Sequence, residues 1–107
     1  MTTHTFFLYV AGGGDLARRA QANFDRQVRP ALLRSGLSEQ SVRCEVVDVT
    51  EEPERACEGN VLTTPMLVRT QPDPVVRLLG TLDDTERVLS LLVPDPDQAP
   101  GPDRPRP

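Results

Sequence analysis

Apolar residues along the chain fall into runs and periodic stripes that predict four strands and three helices. A continuous apolar run over 5–11, rich in aromatic and β-branched residues, predicts a buried strand of the parallel type. Segments rich in valine and leucine at 42–49, 66–70 and 75–79 predict three more strands, each bounded by turn residues. Because only a short turn over 71–74 joins the last two strands, they should pair antiparallel.

Helical spacing marks the segments that connect these strands. Asp15 is the predicted N-cap of a first helix, and an apolar stripe follows it at Leu16, Ala20, Phe24 and Val28. Pro30 should end or kink this helix, or begin a short further turn. Pro53, behind acidic residues, opens a short second helix that a glycine closes. Asp83 and Glu86 form an acidic variant of a capping box for a last helix.

The resulting order, β-α-β-α-β-β-α, predicts a single α/β domain with the thioredoxin-like arrangement. Two strands joined by a helix must be parallel, with a right-handed crossover, and the final hairpin adds two more strands. The predicted domain covers residues 5–93, after an N-terminal tail over 1–4. Residues 94–107 hold six of the eleven prolines and no large apolar residue. We therefore predict that this segment is a disordered tail.

Composition narrows the function classes. The net charge of −4 argues against nucleic acid as the main partner, and all twelve basic residues are arginines. No apolar run approaches the ~20 residues that cross a bilayer, and the N-terminus lacks a signal-peptide pattern. We expect a cytoplasmic protein that does not bind membranes.

The position of the two cysteines argues against redox catalysis. In a thioredoxin-like frame, the loop at 12–14 stands where the redox cysteines would lie, but this chain has three glycines there. Cys44 falls in a predicted buried strand, and Cys57 falls at the C-terminal end of a helix. The spacing gives no metal site, and no catalytic set can be assembled. A glycine pattern typical of dinucleotide binding is present only weakly, so we predict a non-enzyme without a cofactor.

Three backbone positions and one group of arginines stand out. The Thr64–Pro65 step lies where thioredoxin-like proteins usually carry a cis proline, beside the loop that Gly12 begins. Gly80 closes the last strand. Arg18, Arg29 and, less closely, Arg26 share one side of the first helix; they indicate either a solvated face or a surface for an acidic partner.

A larger set of residues carries a family resemblance. Its members are Leu8-Tyr9-Val10-Ala11-Gly12, Arg19-Ala20, Val47-Asp48-Val49, Pro53, Ala56, Thr64-Pro65, Leu67, Pro72, Pro74-Val75, Arg77, Gly80, Leu82 and Glu86-Arg87-Val88-Leu89. In these residues the chain resembles the KaiB family of small clock proteins. The resemblance covers about residues 5 to 92, and its most specific part runs from Val61 to Leu89. The sensor domain of the clock histidine kinases is similar to a lesser degree.

The resemblance implies a regulatory protein-binding module. Its partner would be a KaiC-like ATPase or a signalling histidine kinase, bound through the first helix and the second strand. The residues implied in that contact are Arg18, Arg19, Arg43 and Glu45. The family also implies a monomer or a homo-oligomer, dimeric or tetrameric, and a second fold in which the C-terminal half of the chain is rearranged.

The chain departs from the family pattern at four places, the first being about six extra residues between the first helix and the second strand, around Arg34 to Ser41. Gly13-Gly14-Asp15 replaces a polar turn that contains proline, and Arg43 and Glu45 stand where clock members carry a small residue and a lysine. In the last helix, Leu91-Leu92-Val93 replaces a stretch with glycine and aspartate. Because leucine forms helices well and glycine weakens them, we predict that this chain favours the thioredoxin-like state.

Two other functions stay open at this level. Cys57 could serve a thioredoxin-like thiol or redox protein, and thiol titration distinguishes this case. The chain could also be a structural subunit that works through oligomerisation, which light scattering would detect.

Overall fold

The computed structural model describes residues 3–72 and 74–92. The strands are β1 (His4–Val10), β2 (Val42–Asp48), β3 (Met66–Gln71) and β4 (Val76–Leu79). The helices are α1 (Asp15–Asn23), α2 (Arg29–Arg34), α3 (Pro53–Glu58) and α4 (Thr85–Leu92). A π-helical turn, Phe24–Val28, joins α1 to α2, and a 3₁₀ turn, Glu39–Ser41, precedes β2. The tail predicted at 94–107 lies outside the described residues.

The four strands form one sheet in the order β2-β1-β3-β4. As predicted, β1 and β2 pair parallel, while β3 and β4 pair antiparallel. The central pair, β1 and β3, is also antiparallel. The strand order and the helical connection between β1 and β2 confirm the predicted thioredoxin-like arrangement.

The two faces of the sheet bury different sets of side chains. The larger core lies between the sheet and α1, α2 and α4, and it contains Phe6, Leu8, Val10, Ala17, Ala20, Phe24, Leu32, Leu67, Val88 and Leu92. The rings of Phe6 and Phe24 meet edge to face with their centroids 5.5 Å apart. The smaller core, on the α3 side, contains Tyr9, Val47, Met66 and Val68. Alternate residues of β1 therefore face opposite layers, which explains why the strand is apolar from Phe6 to Val10.

The first helix differs from the prediction at its start. Gly14, not Asp15, occupies the N-cap position, and no side chain caps the helix there. Leu16 is 56% exposed, so its predicted place in the apolar stripe is wrong. The buried stripe begins instead at Ala17 and continues through Ala20, Phe24 and Val28. Val28 lies eleven positions after Ala17, or about three turns, which keeps both ends on one face.

Pro30 does not end the helical run but lies in the first turn of α2, which confirms the alternative of a further turn. Just before it, the Arg29 N–H donates to the carbonyl of Phe24, five residues back. A proline ring clashes with the carbonyl four residues earlier in a regular α-helix. The π-helical turn widens the backbone at this point and lets the helix pass the proline.

The last helix also begins differently from the prediction. It starts at Thr85, and the Asp84 carboxylate accepts a bond from the Arg87 N–H at 3.2 Å. Asp83 is therefore not the cap. Its carboxylate accepts instead from the hydroxyl of Thr81 and the amide of Asn23. Because Thr85–Leu92 is helical, the structure has the thioredoxin-like arrangement predicted for it rather than the rearranged one.

Two further details complete the fold. β1 begins at His4, one residue earlier than predicted, so His4 belongs to the strand and is buried rather than part of a tail. Within 3–72 and 74–92, the helices are all too short to span a membrane.

Candidate protein-binding surface

The glycine loop after β1 is held by hydrogen bonds, without cysteines. Gly12 has a positive φ of 72°, a conformation that favours glycine, and its N–H donates to Oδ1 of Asp48 at 3.0 Å. The hydroxyl of Thr50 and the N–H groups of Gly12 and Thr50 donate to the same carboxylate and lower its pKa. The end of β1 is thereby tied to the end of β2 at the place where a redox loop would lie.

The Thr64–Pro65 peptide bond is cis, as predicted, and the Gln71–Pro72 bond, which was not predicted, is also cis. Because Met66 pairs with Tyr9, Pro65 lies beside the end of β1 and close to the glycine loop. The Pro65 carbonyl accepts from the N–H of Gly80, whose φ is 99°. The cis Pro65 therefore lies beside the loop after β1, where thioredoxin-like proteins carry it, and its carbonyl is held by Gly80.

Both cysteines lie away from this loop, and both are free thiols. Cys44 is half-buried in β2, and burial raises the pKa of its thiol to about 12. Cys57 is exposed in α3. In the described ranges, 3–72 and 74–92, the His, Cys, Asp and Glu side chains do not gather in groups of three that could hold a metal ion.

β2 is an edge strand, and its exposed side chains include two of the four implied partner-binding residues. Arg43 pairs with Thr5, and Glu45 pairs with Phe7, so both point to the α3 face of the sheet. They line a surface pocket of about 430 Å³ together with Thr5, Phe6, Phe7 and Cys44. Val46, on the other face of the strand, is exposed as well.

Glu45 is engaged by an arginine that sequence patterns did not single out. Arg55 of α3 donates to both carboxylate oxygens of Glu45, at 2.6 and 3.2 Å, and its guanidinium lies 5.7 Å from the ring centroid of Phe7. These hydrogen bonds hold the pKa of Glu45 below its usual range. Within the described residues, Arg43 takes part in none of the salt bridges. Of these two charged residues, Arg43 is therefore the one whose charge is left for a partner to pair with.

The other two implied residues lie on α1, across the sheet from Arg43 and Glu45. Arg18 bonds to the Asp15 carboxylate at 2.5 Å and to the carbonyl of Gly13 at 2.7 Å. Nε of Arg19 lies 3.8 Å from Oδ1 of Asp83, in the loop that leads to α4. Both side chains are well exposed. The four residues thus form two separate groups, one on the helical layer and one on the outer strand.

Arg29 supplies a second positive charge at the start of β2. One of its guanidinium nitrogens donates to the carbonyl of Val42 at 3.2 Å, and its centre lies 5.4 Å from the centroid of the Phe24 ring. Arg26 is exposed on the same helical run. Arg29 and Arg43 therefore flank the first residues of an edge strand from its two sides, and an acidic partner segment would meet positive charge there.

Comparisons with known proteins agree with this frame. A family model described as the KaiB domain matches residues 7–94. The circadian clock protein KaiB3 of Synechocystis sp. is 34% identical over 82 residues, which cover 77% of this chain and 74% of that protein. The circadian clock oscillator protein KaiB of Synechococcus sp. is 37% identical over 87 residues, which cover 81% of this chain and 74% of that protein.

Two solved structures share the fold. The N-terminal domain of Synechococcus elongatus SasA superposes with a TM-score of 0.61 at 19% identity, covering 90% of this chain and 89% of that chain. Oxidised mitochondrial thioredoxin 3 of Saccharomyces cerevisiae gives a TM-score of 0.57 at 15% identity, covering 86% of this chain and 79% of that chain. At such identities the likeness is one of fold.

Proposed function

The chain belongs to the KaiB family, and from this premise we propose that it acts in the cytoplasm as a regulatory protein that binds a KaiC-like ATPase or a signalling histidine kinase. Redox catalysis is no part of this proposed function. The main observation behind the proposal is a thioredoxin-like fold in which glycines occupy the loop after β1, where redox cysteines would lie. The edge strand β2 also presents Arg43, which forms no salt bridge within the described residues. Curated relatives named as circadian clock proteins support a regulatory role.

The edge of β2 is the surface that supports binding best. Its inner side pairs with β1 along all seven residues, while no strand of the described residues lies along its outer side. A free edge presents backbone N–H and C=O groups to which an extended partner segment can add. Arg29 already occupies the carbonyl of Val42, so the open stretch lies further along the strand. Arg43, Glu45 and Val46 would supply the side-chain contacts.

The α1 residues would form a second contact region. Among the described residues, Arg19 is held only by a 3.8 Å approach to Asp83, in an exposed setting where an ion pair contributes little. A partner carboxylate could replace Asp83 at small cost. Because this region and the edge of β2 lie on different layers, charge reversals at the two places test them independently.

Binding measurements with the purified KaiC-like ATPase or kinase from the same genome test the proposal. Arg43→Glu should weaken binding about tenfold or more if Arg43 faces an acidic partner surface. Arg87→Glu, an exposed charge reversal on α4, is the matched control and should leave the affinity unchanged. Arg19→Glu tests the α1 region in the same way.

Three results would contradict the proposal in different ways. Unchanged affinity in Arg43→Glu would move the contact away from β2, and unchanged affinity in Arg19→Glu would remove the α1 region. A pull-down from the native organism that recovers neither an ATPase nor a kinase would overturn the partner class itself.

A further inference from the structure

The last helix, α4, is fastened to the domain by side chains at both of its ends. It has eight residues, Thr85–Leu92, and buries Val88 and Leu92. An isolated helix shorter than about 12–15 residues is marginal in water. Its stability must therefore come from contacts with the rest of the domain, and two residues from other elements, Asn23 and Arg69, make polar contacts near its two ends.

Asn23, at the end of α1, holds the loop that leads into α4. Its side-chain amide donates to the carbonyl of Thr81 at 2.7 Å and to Oδ1 of Asp83 at 2.8 Å. Between these two residues, Leu82 has a φ of 64° and is only 5% exposed. The left-handed region is strained for a bulky side chain, and such a conformation persists only where its surroundings impose it. Asn23 bonds to the residue on either side of Leu82, and Leu82 itself packs in the larger core, so both contacts hold this conformation.

Arg69, on β3, holds the other end. One guanidinium nitrogen donates to the carbonyl of Leu92 at 2.7 Å, and another donates to the carbonyl of Pro74 at 3.0 Å. The residue is only 5% exposed, and its Nε has no hydrogen-bond partner in the part of the chain that the structure describes. Within 3–72 and 74–92 no carboxylate forms a salt bridge with it. Its charge is met by carbonyl oxygens, including one at the negative end of the α4 dipole.

A buried guanidinium without a carboxylate is a costly way to fill a core, because an apolar side chain would serve packing as well. The guanidinium, unlike an apolar side chain, can donate two hydrogen bonds in different directions. These bonds join the last turn of α4 to the turn between β3 and β4. Asn23 does the equivalent at the other end of the helix. The Arg69–Leu92 bond spans 23 positions, and the two Asn23 bonds span 58 and 60.

We propose that the hydrogen bonds of Asn23 and Arg69 keep α4 packed against the rest of the domain. Loss of the bonds of either residue lets residues 81–92 open as a unit while the sheet stays folded. The opening would expose the part of the larger core that Val88 and Leu92 cover. This conformational device is independent of which partner the protein binds.

Hydrogen exchange followed by mass spectrometry on the full chain tests this proposal. Asn23→Ala removes both hydrogen bonds of the side-chain amide, at a helical position that alanine favours. Arg69→Met removes the guanidinium while keeping an unbranched side chain. In each variant we expect amides of residues 85–92 to exchange about tenfold faster, with β1 and β3 amides unchanged. Gln27→Ala, an exposed amide on the same helical run, is the matched control and should behave as the unmodified chain.

Two outcomes would overturn the proposal. One is unchanged exchange over 85–92 in Asn23→Ala. The other is an equal rise over 85–92, β1 and β3, which would mean that the two residues stabilise the domain globally. If Arg69→Met does not fold, Asn23→Asp, which cannot donate and would face the Asp83 carboxylate, provides the second variant. It should open the same segment at least as much as Asn23→Ala.

Discussion

Replacing Gly59 by alanine tests how tightly α3 is seated on the sheet. Gly59 follows the last residue of α3, and its φ of −87° and ψ of 1° are open to any residue. The constraint is space. A Cβ at this position would lie 2.7 Å from the hydroxyl oxygen of Tyr9 and 3.1 Å from its Cζ. The first distance is well inside van der Waals contact, so the ring or the helix must move.

The ring of Tyr9 has little room to move. It is only 6% exposed and packs in the smaller core with Val47, Met66 and Val68. Overpacking a well-filled site costs about 1–3 kcal/mol. Against this, alanine at a compatible backbone position stabilises by about 0.4–1 kcal/mol, because it restricts the unfolded chain. The overpacking term is larger, and we expect Gly59→Ala to lower the free energy of unfolding by about 1–2 kcal/mol.

A double-mutant cycle isolates the contact. Tyr9→Phe removes the oxygen that the new methyl group would strike but keeps the 3.1 Å approach to Cζ. Gly59→Ala should therefore cost clearly less, though not nothing, in the Tyr9→Phe background. Urea denaturation of the four proteins gives the free energies, provided that the m-values agree. In thermal melts, each kcal/mol corresponds to about 4–8 °C for a domain of this size. A single variant Gly59→Ala that is more stable than the original chain, or an equal cost in both backgrounds, would refute the reasoning.

Two further predictions concern the thiols and the link between the ends of β1 and β2. At pH 8, Ellman's reagent should react quickly with the exposed Cys57 and slowly with Cys44, because a pKa of about 12 leaves the Cys44 thiol almost without thiolate. If Cys57→Ser still showed one rapidly reacting thiol per chain, this prediction would be wrong. Asp48 has a lowered pKa, so its contribution to stability is complete above the unfolded value of about 3.9 and is lost as the pH falls toward the folded value. The difference in unfolding free energy between Asp48→Ala and the original chain should therefore shrink below about pH 4, and a difference independent of pH would contradict the assignment.

The parts of the fold that sequence patterns predict well are those encoded by neighbouring residues. The apolar run of β1, the stripe through Ala20, Phe24 and Val28, and the short turn before β4 each depend on spacing within one element. The start of the buried stripe on α1 is not fixed by spacing, because Leu16 and Ala17 are both apolar and either could begin it. Only the packing of α1 on the sheet selects Ala17 as the first buried residue.

The candidate surface could be predicted only in part. Arg43 and Glu45 fall on the exposed strand that the family resemblance indicated, but their unequal states could not be foreseen. Arg55 neutralises Glu45 from a helix ten residues further along the chain, and no local pattern announces that contact. Arg19 likewise finds Asp83 only because the loop before α4 crosses the end of α1.

The sequence by itself determined the order of the elements, the pairing sense of the outer strands and the absence of a cysteine pair at the loop after β1. Periodicity and composition carry that information because each reports how a short segment meets water. Only the tertiary structure decided that Arg69 is buried, that Leu82 takes a left-handed backbone conformation and that Asn23 holds its neighbours. Those outcomes depend on residues about 20 to 60 positions apart meeting at element crossings, where burial and hydrogen bonding are set by geometry that no single segment contains.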